Sequence, residues 1–528
     1  MATIITKIKL INFKQFRNYI VEPKSHINVL IGDNESGKSS ILEAIDIVAS
    51  GNVRRVETLG LDRLLNIQAV QEFNVGKRTY ENLPKMIIEL YLQGIFDHTV
   101  NGKNNTDGIT CDGIRLVCEP NLDFQNEITE SLNNQKDYFP YDYYSIRFST
   151  FADEGYTGYK KKLKSILIDS TNMSSEHATN DFIKRTYYQY TEDDIKERAI
   201  HKGQYRQLRD SYRKESLQGL NARIPSGKKY AFGLKVSSAM GLEDNLMIYE
   251  DEIGIDSKGM GKQVFIKTDF ALERAGQNMD VILLEEPENH LSHVNLRKLI
   301  QCVSDAQNGQ LFITTHNSLI STRLELRNLL IMHKEAKQHP ISLHNLDEST
   351  AKYFMKAPAA GIIEFAISDR VILVEGPSEY MLFEKFYMIV TNHQPEQDDV
   401  HIIDVRGLSF KRYLEIALLL KNKVAVVTDN DGDAQTHCIE KYRDFANESN
   451  IKVFYEPDNQ KRTFEIVLYN DNKELFDWIF EGNTDTQDYM LKNKTEAAFS
   501  LLDLNLEDKN QQIVVPNYIQ GAIEWIRE

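Results

Sequence analysis

Cysteine is scarce. The 528 residues hold four, Cys111, Cys118, Cys302 and Cys438, and no two form a C-x-x-C pair. This excludes a zinc ribbon or disulfide framework and makes a reducing cytoplasm the expected location. Long apolar runs are also missing. No stretch approaches the ~18 apolar residues of a membrane-spanning helix. The opening MATIITKIKLINFK sets lysines between short apolar pairs, where a signal peptide needs an unbroken apolar core. No membrane partner is expected. Positive charge is in deficit, with 62 Lys and Arg against 78 Asp and Glu, a net charge of −16. That argues against a passive, whole-surface nucleic-acid binder. It leaves a DNA-cutting enzyme open, because phosphate binding needs only a local basic patch and acidic metal sites add negative charge of their own. The composition, 41% apolar and 27% charged, is that of a globular protein, and the length suggests about three domains.

What is present begins with a phosphate cradle. Residues 27–31 (INVLI) read as a buried strand and run into Gly32-Asp33-Asn34-Glu35-Ser36-Gly37-Lys38-Ser39, followed by Ser40 and a helix-spaced apolar set at Ile41, Leu42, Ile45 and Val48. This is G-x-x-x-x-G-K-[ST] in the strand–loop–helix context the motif requires. Gly32 and Gly37 let the backbone wrap phosphates, with Asn34 in the loop, and the new helix offers its positive end. Lys38 is expected on the outer phosphates and Ser39 on Mg²⁺.

Further along, Asp280–Leu284 form an apolar strand ending in Glu285-Glu286-Pro287-Glu288. In a P-loop enzyme the first carboxylate holds Mg²⁺ and the second polarises the attacking water; acids that merely mark a strand's exit are the plainer alternative. Leu311–Thr315 form another strand, ending at His316, a candidate γ-phosphate contact. Between these motifs lies more chain than a compact ATPase head needs. Residues 159–222, without proline, read as a helical insertion, with dimerisation the plain role. A DNA-contacting face of Lys160, Lys161, Lys162, Arg185, Arg206, Arg209 and Arg213 is the sharper one, weakened by the acidic run Glu192-Asp193-Asp194.

Beyond residue 360 short strands alternate with helices, the pattern of a parallel α/β domain. Strand 370–374 delivers Glu375, with Glu379 about one helical turn on; a second ends at Asp404; a third, 424–427, leads into Asp429-Asn430-Asp431-Gly432-Asp433. Carboxylates at the ends of neighbouring parallel strands converge on one crevice. Hard oxygens suit Mg²⁺ or Mn²⁺, and two such ions would activate water and stabilise a leaving oxygen. Helix-capping acids are one alternative. A calcium loop is another, although its sixth position needs Gly and here is Ala434.

Lys38, the Glu285–Glu286 pair and His316, in this order and after KIKLINFKQFRN (7–18), resemble the ABC-type ATPases of the structural-maintenance and RecF-like group. Ser257-Lys258-Gly259-Met260-Gly261-Lys262-Gln263 takes the place of that group's signature loop, so the resemblance implies that Ser257 and Gly259 complete the ATP site of a second copy, in a homodimer or higher oligomer. Gln71 and Gln93 are candidates for its glutamine loop. Glu375-Gly376 followed by Asp429-Asn430-Asp431 resembles the Toprim domain, and the ATPase-then-Toprim order resembles the OLD (overcoming lysogenization defect) nucleases. The resemblance implies a RecF-like head split as 1–158 and 223–350 around the insertion, then a Toprim domain over 360–528. It implies ATP, two Mg²⁺ or Mn²⁺ ions on Glu375, Glu379, Asp429, Asp431, Asp433 and Glu465, and Lys494 on the scissile phosphate. DNA is the implied substrate and phage defence the implied biology, with a protein or retron RNA–DNA as a further partner. An ATP-gated clamp without nuclease activity is the alternative.

Overall fold

A computed structural model of the chain describes every residue except 1–2, 96, 135–138, 159, 171–175, 192–193, 225–229, 235–240, 274–278, 306–308, 333–337, 358–360, 408, 482–484 and 504–512. It contains two compact units: Met1–Asn28 with Gly37–Thr315 and Lys337–His339, and Val29–Ser36 with His316–Ala336 and Pro340–Glu528. Strand pairing decides the neighbours: Val29–Gly32 run parallel to Leu329–Met332, residue for residue.

In the first unit β1 (Ile4–Phe13) and β2 (Phe16–Val21) form a hairpin. The buried residues of β1, Ile5, Ile8, Leu10 and Phe13, face the core. After β3 (Ile27–Gly32), whose Val29–Gly32 belong to the second unit, come β4 (Met86–Gln93), β5 (Asn101–Gly102), β6 (Cys111–Pro120) and β7 (Tyr144–Thr150). The antiparallel order is β2-β1-β4-β6-β5, with β7 also on β6. β8 (Ser165–Asp169) pairs in parallel with β11 (Val281–Glu285), which pairs in parallel with β12 (Gln310–Thr314). Two-residue strands β9 (Tyr249–Glu250) and β10 (Ile253–Gly254) form a small hairpin.

The helical insertion begins at Glu176, later than the expected 159, because Ser165–Asp169 is a largely buried strand beside β11. Its helices are Glu176–Tyr190 and Ile195–Glu215; the second, capped by Asp194 at the N–H groups of Lys196 and Glu197, has no buried residue. The proposed basic face is partly spent. Lys162 donates to Asp97 (2.6 Å) and Thr99 (2.7 Å), and Arg213 shares Asp210 with Lys214. The Arg185 side chain and Glu192-Asp193 lie outside the described residues.

In the second unit β13 (Leu329–Met332) pairs with β3 and, antiparallel, with β14 (Ile341–Ser342). A separate sheet of four parallel strands follows: β15 (Arg370–Val374), β16 (Val400–Asp404), β17 (Lys423–Val427) and β18 (Ile451–Phe454), in the order β16-β15-β17-β18. Their near-continuous Val, Ile, Leu and Ala content is what strands covered on both faces require. Pro377 opens the helix Pro377–Thr391, where a missing N–H costs nothing, and left-handed Asn392 ends it. The helix Asn517–Arg527 buries Ile519, Ala522, Ile523 and Ile526, spacings that make one apolar stripe.

Candidate functional site

The four-stranded sheet places the site. β15 leads by its helix to β16 on one side, and β17 leads to β18 on the other, so the crevice opens at the carboxyl ends of β15 and β17. Glu375 follows β15 and Asp429 follows β17 by two residues. Glu375 Oε1 accepts from the Thr428 hydroxyl and from the Asp429 N–H at 3.0 Å. Asp429 Oδ1 accepts from the Phe464 N–H at 2.8 Å, which ties in the helix Phe464–Asp471 that carries buried Glu465. Lys494 Nζ reaches Glu465 at 2.9 Å. Glu379, on the first turn of Pro377–Thr391, is buried in the same place.

Electrostatics show that these groups feel one another. Burial, joined by the charges of Glu465 and Glu375, pushes the Glu379 carboxyl up to about 7. Burial, then Glu375, Glu379 and Glu465, pushes Asp429 up to about 8. Burial works against the Lys494 charge, but the bond to Glu465 and the charges of Glu465, Asp429 and Glu379 outweigh it, and its pKa rises. Four crowded carboxylates with one lysine form a hard-oxygen set that a divalent cation would relieve. Among the described residues no three His, Cys, Asp or Glu side chains are already grouped to hold an ion. Glu375, Asp429 and Glu465 each give an oxygen to the protein contacts above, so their side chains must reorient to converge. The donors fit; their present rotamers do not.

The D-N-D-G-D run divides its labour. Asn430 is buried and donates to the carbonyls of Glu456 (2.6 Å) and Asp458 (3.0 Å) while accepting from the Gly432 N–H (2.8 Å). Asp431 sits in left-handed backbone at φ 50° and is exposed. Asp433 is exposed and accepts from the Thr436 N–H (3.2 Å) and hydroxyl (2.7 Å), one residue ahead of Ala434, the N-cap of the π-helical turn Gln435–Glu440. Glu440, the twelfth position of the calcium-loop alternative, accepts from Gln435 at 3.2 Å. Glu456 was overlooked in the sequence, although it stands just past β18 as Glu375 and Asp429 stand past their strands.

In the first unit the helix Lys38–Ser50 starts at Gly37, whose left-handed φ of 96° and crowding admit no side chain: a Cβ there would lie 2.0 Å from Gln15 Nε2. Lys38 and Ser40 are buried, and Ser40 donates to Gln15 at 3.3 Å. Ser39 hydrogen-bonds Glu285, whose pKa is raised by burial and by Asp169, Glu286 and Glu43. Asp169, in register with Glu285 across β8 and β11, is a second residue overlooked in the sequence. Glu286 is held at φ 41°, its N–H on the Thr314 carbonyl (3.0 Å) and its carboxylate accepting from Asn289 (2.9 Å). Ser257 and Gly259 are exposed just before the helix Met260–Glu273, while Gln263 is buried and donates to the Lys258 carbonyl at 2.9 Å. In the second unit Gly32 packs so closely on the Met332 carbonyl that a Cβ would lie 2.3 Å from it; Asn34 is exposed, buried Ser36 has an unpartnered hydroxyl, and His316 is exposed beyond β12.

A P-loop motif, a helix-start serine bonded to a strand-end carboxylate, and a parallel sheet with an acidic crevice are the features of a P-loop ATPase followed by a second α/β domain. The family models agree: an AAA ATPase domain matches residues 4–232, and an overcoming lysogenization defect protein-like Toprim domain matches 367–431. The pairing matches an OLD-family ATPase–Toprim protein, with ATP and a divalent metal as the ligands its domains imply. No curated protein matches the chain. Among solved structures the chain is similar to an Smc head domain with an extended coiled coil, bound to the C-terminal domain of ScpA and derived from Pyrococcus furiosus (12% identity, TM-score 0.32, covering 67% of this chain and 99% of that one). It is similar also to an SMC head domain from Thermotoga maritima (12%, 0.27, 62% and 93%) and to the recombination mediator protein RecF of the RecFOR pathway (10%, 0.30, 65% and 98%). TM-scores this low carry no weight on their own. Among the described residues no helix is long and apolar enough to cross a membrane.

Proposed function

We propose that the chain is an ATP-regulated, divalent-metal-dependent DNA endonuclease, acting as a dimer or higher oligomer in defence against phage. The observation that supports this reading most is the meeting of Glu375, Glu379, Asp429, Glu465 and Lys494 at the carboxyl ends of β15 and β17. Two bound Mg²⁺ or Mn²⁺ ions would supply the attacking hydroxide and stabilise the leaving oxygen. The chain's own groups do the rest. Thr428 and the Asp429 N–H hold one oxygen of Glu375, Phe464 orients Asp429, and Asp431 adds an exposed carboxylate at the mouth. Lys494, kept charged by Glu465, would meet a phosphate oxygen. In the ATPase domain Lys38 would bind the outer phosphates, Ser39 and Glu285 would hold the nucleotide's metal, and Glu286 would orient the attacking water. Ser257 and Gly259, exposed, are available to a second copy, as is the unburied helix Ile195–Glu215.

The test is plasmid cleavage with Mg²⁺ or Mn²⁺, with and without ATP, comparing wild type with Glu375→Ala. Cutting is expected from the wild type, lost in the variant and stopped by EDTA. EDTA-resistant cutting, or equal cutting by the variant, overturns the site; a wild type that binds DNA and never cuts it is a clamp.

A further inference from the structure

The C-terminal helix Asn517–Arg527 runs against the direction of the strands it covers. Near its end, Trp525 takes the Lys423 ammonium over its ring at 4.6 Å, and Arg527 pairs with Asp398 at 3.2 Å. Lys423 is the first residue of β17 and Asp398 precedes β16, so this end of the helix lies at the amino ends of the strands. The helix packs on β17 and on Pro377–Thr391. Its first turn, carrying Tyr518, therefore lies at the carboxyl ends, where the acids stand. Tyr518 is only 9% exposed, its ring part of the domain core. Among the described residues no hydrogen bond to its hydroxyl is present. The hydroxyl is not among the fully buried oxygens that lack a partner, so the ring is packed while its polar tip stays open to a hydrogen-bond acceptor.

We propose that Tyr518 is a further substrate-contacting residue of the carboxylate crevice, donating its phenolic hydrogen bond to a phosphate oxygen of bound DNA. This deepens the nuclease reading and rests on it. Burial, with the negative charges of Asp429, Glu379, Glu456 and Glu465, holds the phenol well above its ordinary pKa. A phenol so held is neutral at working pH. In this role the neutral phenol is the donor, and the bond-breaking step needs no tyrosine–DNA link.

Tyr518→Phe keeps the ring and removes only the hydroxyl. Three measurements are made on wild type and variant: melting temperature, binding of a short fluorescent duplex in Ca²⁺ by anisotropy, and plasmid cutting in Mn²⁺. The variant is expected to melt no lower than wild type, to bind the duplex several-fold more weakly and to cut about tenfold more slowly, the scale of one charge-assisted hydrogen bond. Unchanged binding and cutting overturn the proposal, as does a lowered melting temperature that accounts for the loss. A covalent wild-type protein–DNA adduct in denaturing gels overturns it in favour of a nucleophile. A wild type that cuts nothing removes the nuclease reading, and the anisotropy comparison then decides Tyr518 alone.

Discussion

Raising the pH should destabilise the metal-free Toprim domain, and a single neutral substitution should undo much of the effect. Asp429 titrates at about 8 in the fold against an ordinary 3.8, and Glu379 at about 7 against 4.5. Both folded pKa values lie above the unfolded ones. From about pH 4 upward the unfolded chain therefore gives up protons that the fold retains, and stability falls until the folded groups ionise near pH 8. At about 1.36 kcal/mol per pKa unit, Glu379 alone is worth about 3 kcal/mol and Asp429 about 6 kcal/mol. The two share their repulsion, so the sum overstates the effect. A net loss of roughly 5–8 kcal/mol between pH 4 and 8 is expected. Asp429→Asn removes the larger charge, and in EDTA at pH 8 it should melt several degrees above wild type while cutting no DNA. Mn²⁺ should flatten the wild-type slope, because cation binding favours the deprotonated carboxylates. The assay is thermal unfolding from pH 5 to 8.5, with EDTA or Mn²⁺. A melting temperature that does not fall with pH in EDTA, or an Asp429→Asn variant that melts lower than wild type at pH 8, refutes the reasoning.

Two predictions concern the ATPase domain. Lys38→Ala should weaken ATP binding by on the order of 10- to 100-fold or more, the loss of charge-assisted contacts to phosphate; unchanged affinity for a fluorescent nucleotide would remove Lys38 from the phosphate site. Glu286→Gln should slow ATP turnover by about 100-fold or more and accumulate an ATP-bound dimer by light scattering, and normal turnover would deny Glu286 its role.

Where a strand ends in a charge, the sequence was readable. β15 and β17 are short apolar runs whose exit residues, Glu375 and Asp429, come together because strands that pair in parallel end on the same side of the sheet. The P-loop strand and helix were readable for the same reason of locality: Gly32 and Gly37 mark positions that only glycine fills. What was not readable depends on distant chain. β8 was taken into the helical insertion because the lysines before it masked five residues whose burial comes from β11, more than a hundred positions away. Asp431 and Asp433 look equivalent in a D-x-D-x-D pattern, yet the π-helical turn engages Asp433 through Thr436. Tyr518 follows no motif. Only the direction of the last helix brings it to the acids.

Asn430 carries a consequence for how such sites tolerate change. It is the uncharged middle letter of an acidic triplet, and its amide stitches the Glu456–Asp458 segment to the end of β17. An aspartate there would look like enrichment of the motif on paper. In the crevice it would replace a donor by an acceptor facing two carbonyl oxygens and add one more negative charge to a place already short of cations. The spacing of the two flanking acids thus rests on a residue without charge, at a position where adding one would lose a donor and gain a repulsion.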